Sequence, residues 1–190
     1  MLPFGRRGGL QWFWYFMIYS FLGFLAEVIF AHARHGRTDR KCLLVLPLCP
    51  VYGLGACAVL GIAPLVYSRP ALLFLAGAAV CTVVEYGMAV WYECVIGVPF
   101  WDYTGVTGNL HGRVCLPFSL AWGALILVTV YLVHPAVAAL AARIPAAAYL
   151  VTAPLLLTDF AASSVLLRRT GDRRSLQWYA ALSHRLRAQG

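Results

Sequence analysis

Charge is what this chain lacks. Only 12% of its 190 residues are Asp, Glu, Lys or Arg, Lys41 is the single lysine, and seven residues are acidic. A soluble domain carries about 25% charged residues to cover its surface, so a water-soluble globule is excluded. Paired thiols are missing as well. None of the six cysteines (Cys42, Cys49, Cys57, Cys81, Cys94, Cys115) forms a Cys-x-x-Cys unit, which removes zinc ribbons and thioredoxin-like dithiols. No metal and no cofactor is expected.

Nucleotide and hydrolase motifs are absent too. There is no Gly-x-x-x-x-Gly-Lys-Ser/Thr, because Lys41 follows Asp39-Arg40, so the chain has no Walker-type ATPase of its own. Neither His-Glu-x-x-His nor Gly-x-Ser-x-Gly occurs. The stretch Gly53-Leu54-Gly55-Ala56-Cys57-Ala58 fits Gly-x-Gly-x-x-Ala, but it lies in an apolar run with no strand before it and is discarded as a dinucleotide site.

What is present is grease. Hydrophobic residues make up 62% of the chain and the mean hydropathy is +0.76. Five apolar segments follow: Leu10–His32, Leu43–Tyr67, Ala71–Val95, Leu116–His134 and Ala146–Leu167. Runs of about 20 apolar residues cross a bilayer core, so the expected fold is all-α, a polytopic membrane helical bundle of about five transmembrane helices. Residues 1–167 form the transmembrane domain and 168–190 a basic, amphipathic cytoplasmic tail that suits the membrane interface. The first run contains Glu27 and is too long for a cleaved signal segment.

The net charge of +8 is unevenly spread. With the N-terminus outside, the 33–41 loop, the 96–115 loop and the tail hold eleven of the fifteen Lys and Arg. The positive-inside rule then favours an N-out, C-in protein. These basic clusters address lipid headgroups, and nucleic acid is not an expected partner.

The connection between the third and fourth segments is rich in glycine and aromatics (Gly97, Phe100, Trp101, Tyr103, Gly105, Gly108, Gly112). Its composition forbids a long helix, and its aromatics suit the headgroup level.

Two further patterns organise the helices. Ridges of small residues recur at four-residue spacing: Gly23 in the first segment, Cys49, Gly53, Cys57 and Gly61 in the second, Gly77 and Cys81 in the third. Such rows share a face and let backbones approach, so they are candidate helix-packing positions. A repeat is also visible. Leu46-Pro47-Leu48-Cys49-Pro50-Val51-Tyr52-Gly53 compares with Leu116-Pro117-Phe118-Ser119-Leu120-Ala121-Trp122-Gly123, each with a basic residue and a cysteine ahead of it. The expectation is a parallel duplication of helix pairs about an axis along the membrane normal.

The chemistry must come from ionisable groups in apolar surroundings. Glu27, Glu85, Glu93 and Asp159 lie within apolar runs, and a charge at the bilayer centre costs about 2.5–3.5 kcal/mol. Such residues pair, face the interior or protonate. Together with Asp102, Asn109 and Arg113 of the glycine-rich loop, they are the candidate substrate- or proton-handling residues. All are expected to converge on one cytoplasmic-side polar cavity.

Three blocks carry a family resemblance: Tyr19-Ser20-Phe21-Leu22-Gly23-Phe24-Leu25-Ala26-Glu27; Leu46-Pro47-Leu48-Cys49-Pro50-Val51-Tyr52-Gly53-Leu54-Gly55-Ala56; and Glu85-Tyr86 with Trp101-Asp102-Tyr103, Asn109, Gly112-Arg113-Val114-Cys115-Leu116 and Ser119-Leu120-Ala121-Trp122-Gly123. Over residues 15–125 the chain resembles the ABC-transporter permease family of the CmpB type, also called ABC-transporter type IV. Leu46 departs from the family's usual glycine and Phe24 from its usual tryptophan. The resemblance implies a small permease-type transport component of the bacterial inner membrane, and it supplies no catalytic residues. The size of the chain suggests a homo-oligomer, or a complex with other membrane subunits and a separate ATPase. Two other functions fit the residues: a membrane-embedded enzyme acting on a lipid or isoprenoid-like substrate, or a non-catalytic assembly subunit.

Overall fold

The computed structural model describes residues 8–33 and 42–176. Arg6, Arg7, the cations of the 34–41 loop and the tail past Leu176 lie outside the described residues. The described regular structure is helical: α1 Gly9–Ala33, α2 Pro50–Val66, α3 Pro70–Trp91, α4 Leu116–Val128, α5 His134–Arg143 and α6 Ala146–Thr170. A π-helical turn, Tyr92–Ile96, extends α3. A second, Thr129–Val133, joins α4 to α5.

Four of the resulting units are long and apolar enough to cross a membrane: Gly9–Ala33, Pro70–Ile96, Leu116–Arg143 and Ala146–Thr170. The 17-residue α2 rises about 25 Å, a little less than the bilayer core of about 30 Å. Leu65, Leu132 and Leu150 are 83%, 73% and 72% exposed, which in water would be a severe aggregation hazard and in lipid is the ordinary outer face. The chain is a helical membrane bundle.

Two boundaries differ from the sequence expectation, and proline explains both. The second segment does not begin as a helix at Leu43. Residues 42–49 are irregular, and Pro50 opens α2 in its first turn, where a missing N–H costs nothing. Yet Cys42, Leu43, Leu44, Leu48 and Cys49 are all buried, so this non-helical backbone sits inside the protein, the setting in which such backbone is tolerated at membrane depth. Leu48 N donates to the Leu46 carbonyl within the segment at 2.7 Å, and other donors are met from outside it. Val45 and Leu46 donate their backbone N–H groups to Asp159 Oδ1 and Oδ2 at 3.1 and 2.8 Å. Ser163 donates to Asp159 Oδ1 at 2.9 Å, and Cys49 N donates to the Ser20 carbonyl at 2.8 Å.

The fourth segment, in turn, does not stop at His134. The π-helical turn before Pro135 absorbs the absent donor and the ring clash that would otherwise break the helix. The helix therefore continues to Arg143.

α1 and α2 run antiparallel, as do α3 and α4, and the two hairpins pack in matching registers. A Cβ on Gly53 would meet Ser20 Oγ at 2.2 Å and the Phe16 carbonyl oxygen at 2.6 Å. A Cβ on Gly123 would meet the Phe74 ring at 2.8 Å and its carbonyl oxygen at 2.9 Å. Phe16 precedes Glu27 by the same spacing that separates Phe74 from Glu85. The duplicated Tyr52-Gly53 and Trp122-Gly123 thus engage duplicated partners. Tyr52 and Trp122 also meet each other edge to face, 4.9 Å between ring centroids, as equivalent residues do at a twofold axis.

Among the other ridge positions, a Cβ on Gly23 would run into the Tyr52 side chain at 2.2 Å, and one on Gly77 into Ile126 at 2.7 Å. Cys49 and Cys81 are buried and Cys57 is half-buried. Gly61 departs from the expectation: it is exposed, with nothing within 4 Å of a Cβ. A strict four-residue step drifts about 40° per step from the 3.6-residue turn, and the buried row of α2 instead follows Gly53, Ala56, Leu60 and Ala63.

Gly53→Ala should lower stability in detergent by about 1–3 kcal/mol, because a backbone carbonyl cannot swing aside. Gly61→Ala should be neutral or stabilising by about 0.5–1 kcal/mol through helix propensity alone. Thermal unfolding of the two variants side by side checks both. Asp159→Ala leaves the Val45 and Leu46 donors short of an acceptor and should cost about 1–3 kcal/mol. It should also speed proteolysis at residues 42–49 in a limited digest.

Candidate functional site

Glu27 on α1 and Glu85 on α3 face one cavity of about 230 Å³, with Tyr52, Tyr103, Phe118 and Trp122 among its walls. Each carboxylate takes its donor from the aromatic residue of its own hairpin partner. Tyr52 OH donates to Glu27 Oε1 at 2.8 Å, and Trp122 Nε1 donates to Glu85 Oε2 at 2.9 Å. Glu85 is 4% exposed and accepts a second donor, Tyr103 OH, at 3.0 Å. Glu27 is half-buried, and Tyr52 is its hydrogen-bond donor among the described residues. A second cavity, about 240 Å³, adjoins the first and shares Ala26, Tyr52, Trp122 and Leu125 with it. The Tyr52–Trp122 ring pair stands at that junction, with Tyr19, Cys81 and Thr129 on the far side.

The glycine-rich loop is a folded lid. Trp101 Nε1 donates to the Arg113 carbonyl at 2.7 Å, and Tyr103 N to the Gly112 carbonyl at 2.7 Å. Gly112 has φ +69, and a Cβ there would meet Asp102 Oδ1 and Thr104 Oγ1 at 2.8 Å; both constraints call for glycine. Tyr103 stacks on Phe118 at 4.9 Å while its hydroxyl reaches Glu85. Burial, with the Glu85 carboxylate next to it, pushes the Tyr103 phenol well above its usual pKa, so it remains a donor. Phe100, one of the aromatics suited to the headgroup level, is enclosed by protein. It is 2% exposed and packs on Tyr92 at 4.3 Å, and its carbonyl accepts a hydrogen bond from Arg173.

Arg113 serves the loop rather than the cavity. Its Nε and Nη2 donate to Glu93 Oε2 at 2.9 and 2.6 Å, and Nη1 donates to Tyr86 OH at 3.1 Å. These partners hold its pKa above the usual arginine value, so it is a permanent cation. Tyr86 OH lies 2.9 Å from His111 Nδ1, which ties the loop tip back to α3.

The sequence candidates therefore fall into separate groups. Glu27 and Glu85 share the cavity. Glu93 and Arg113 form a half-exposed ion pair, 32% and 24% exposed, and are not among the lining residues. Asp102 is exposed and caps Thr104, accepting from its N and Oγ1 at 2.8 and 2.6 Å. Asn109 bonds Val106 O and Gly112 N. Asp159 holds the 42–49 backbone. The expected convergence of all seven on one pocket is corrected accordingly: a single carboxyl cluster in an apolar slab would be self-repelling, and each group has found its nearest donor instead.

Sequence reasoning gave no role to Tyr52, Trp122 or Tyr86, nor to the close approach at Gly123. The repeat was the available signal, since it aligned Tyr52-Gly53 with Trp122-Gly123. Among the described residues no group of three or more His, Cys, Asp and Glu could hold a metal ion.

The apolar helices of the bundle define a multi-pass membrane protein and fit a membrane transport component. The chain belongs to the family described as "Putative ABC-transporter type IV", whose model matches residues 14–166. The match runs well past residue 125, where the sequence resemblance had been traced, so α5 and most of α6 belong to the family unit. Neither a curated protein sequence nor a solved structure matches the chain.

The Thr104 donors keep the Asp102 carboxyl below its ordinary value of 3.8. A depressed carboxylate stabilises the folded loop at and above that ordinary value, and the contribution is lost as pH falls below it. Thr104→Ala should return the Asp102 pKa toward 3.8, read by site-resolved NMR titration in detergent. An unchanged value would remove Thr104 as the cause.

Proposed function

We propose that this chain is the membrane-spanning part of a transport system, with the Glu27–Glu85 cavity as its substrate- or proton-handling site. The observation that carries the reading is Glu27. It is a half-buried ionisable group on a half-open cavity of a membrane bundle, held among the described residues by one hydroxyl donor, and such groups mark pathways more often than packing. Glu85, dressed by two donors, shapes the wall beside it.

With the N-terminus outside, the cavity, the glycine-rich loop and the basic tail all belong to the cytoplasmic side. That orientation draws on the distribution of Lys and Arg. Energy comes from elsewhere, since the chain has no Walker motif. A separate ATPase, other membrane subunits or a second copy of this chain would complete the system in the inner membrane.

A lipid- or isoprenoid-modifying enzyme is less well supported. Arg113, the cation best suited to hold an anionic headgroup, is engaged by Glu93 and Tyr86. The Glu93, Asp102, Asn109 and Asp159 candidates are better assigned to positioning the loop and the buried segment.

The test is purification in mild detergent from the native host. The chain should bring down an ATPase or itself, and Glu27→Gln should lower substrate-stimulated ATP turnover about tenfold or more, equivalent to about 1.4 kcal/mol, with the assembly intact. A lone monomer with no ATPase would overturn the proposal. An intact assembly with normal turnover in Glu27→Gln would assign the chain a scaffold role.

A further inference from the structure

We infer that the Glu27–Glu85 cavity takes a small organic monocation of the alkylammonium class. The inference rests on the reading of this cavity as the substrate site and names what enters it.

Three observations on the cavity select the ligand. The first is charge. Two carboxylates from different helices reach one space whose described lining contains no Arg, Lys or His. Glu27 in particular has a neutral hydroxyl as its donor and no ion-pair partner among the described residues. A carboxylate held in apolar surroundings is costly unless a cation joins it. Among the described residues, the cation of the glycine-rich loop, Arg113, is paired with Glu93.

The second observation is the walls. Tyr52, Trp122, Tyr103 and Phe118 line the cavity beside the carboxylates, and these rings are braced by their own contacts. Tyr52 meets Trp122 at 4.9 Å and Tyr103 stacks on Phe118 at 4.9 Å. Aromatic faces attract cations through the ring quadrupole, Trp most strongly, and alkylammonium groups are the usual guests of such faces. An inorganic cation is poorly served here. Ca²⁺ and Mg²⁺ require about six or more oxygen ligands, and the cavity offers mainly rings and aliphatic carbons. A fatty acid or phospholipid headgroup would set its own anion against Glu27 and Glu85.

The third observation is size. At about 230 Å³ the chamber falls below the range of about 300–1,000 Å³ typical of drug-sized pockets. The adjoining cavity of about 240 Å³ shares Tyr52 and Trp122 with it, and the volume suits a small guest.

The experiment uses the full chain in nanodiscs and two probes, choline and its neutral tert-butyl isostere, with binding followed by calorimetry. Choline should bind and the isostere should bind at least about tenfold more weakly, which is 1.4 kcal/mol of preference for charge. Glu27→Gln should remove that preference, and Glu27→Asp should restore much of it. Tyr52→Phe keeps the ring and frees Glu27 from its donor, so choline should still bind in preference to its isostere. Unchanged thermal unfolding of each variant excludes misfolding as the cause of any loss.

Equal binding of choline and its isostere, or no choline binding by the folded wild-type chain, would overturn the inference while leaving the transport role standing. Choline binding that depends on Glu27, together with normal ATP turnover by the Glu27→Gln assembly, would sink the transport role and keep the cation site.

Discussion

The close approach of backbones at Gly53 and Gly123 governs the rest of the structure. Each glycine lies where any side chain would strike the carbonyl of a phenylalanine on the preceding helix. In lipid there is no hydrophobic drive between helices, so such contacts carry much of the packing energy. They also set register. With Gly53 against Phe16, Tyr52 falls beside Glu27, and with Gly123 against Phe74, Trp122 falls beside Glu85. Moving either glycine off its partner would leave a carboxylate in the slab without its donor. The packing device and the polar device are therefore one feature used twice.

A second constraint acts on the other side of the bundle. The irregular stretch before α2 could not survive in hydrocarbon unless its donors were met. Asp159 meets two of them, and it does so from α6, the helix with the smallest buried share. One carboxylate thus fastens a loosely packed helix to a buried loop. Stacking of Trp91 on Phe160 at 5.5 Å, one residue beyond Asp159, closes the same joint.

Much of this was legible in the sequence, and the gaps have physical causes. Apolar run length reports a span directly, so the bundle and its helices could be read from composition. The repeat could be read because duplicated packing keeps the same small-residue and aromatic order. Helix ends near prolines could not be read reliably. Pro47 and Pro50 delay α2, whereas Pro135 is accommodated by a π-helical turn and ends nothing; the same residue type gives opposite outcomes according to its neighbours. The carboxylates were recognisable as unusual, but their partners were not. Glu85 is met by Trp122 and Tyr103, Glu93 by Arg113, and Asp159 by backbone N–H groups. Nothing in a one-dimensional pattern distinguishes these three fates, because each depends on which donor folding brings within 3 Å.

The two hairpins are alike but not equal, and the difference bears on function. A hydroxyl faces Glu27 where an indole faces Glu85, and among the described residues only Glu85 receives a further donor from the loop, through Tyr103. Two donors, one on each oxygen, fix a carboxylate in place, which suits a wall. One donor leaves the other oxygen with bonding capacity to spare, which suits an encounter with something that comes and goes. Had both halves kept the same dress, the cavity would hold either two rigid anions or two labile ones. Tyr103 is added to one side: Glu85 ties the loop to α3, and Glu27 keeps Tyr52 as its donor among the described residues, the asymmetry on which the proposed handling role of Glu27 rests.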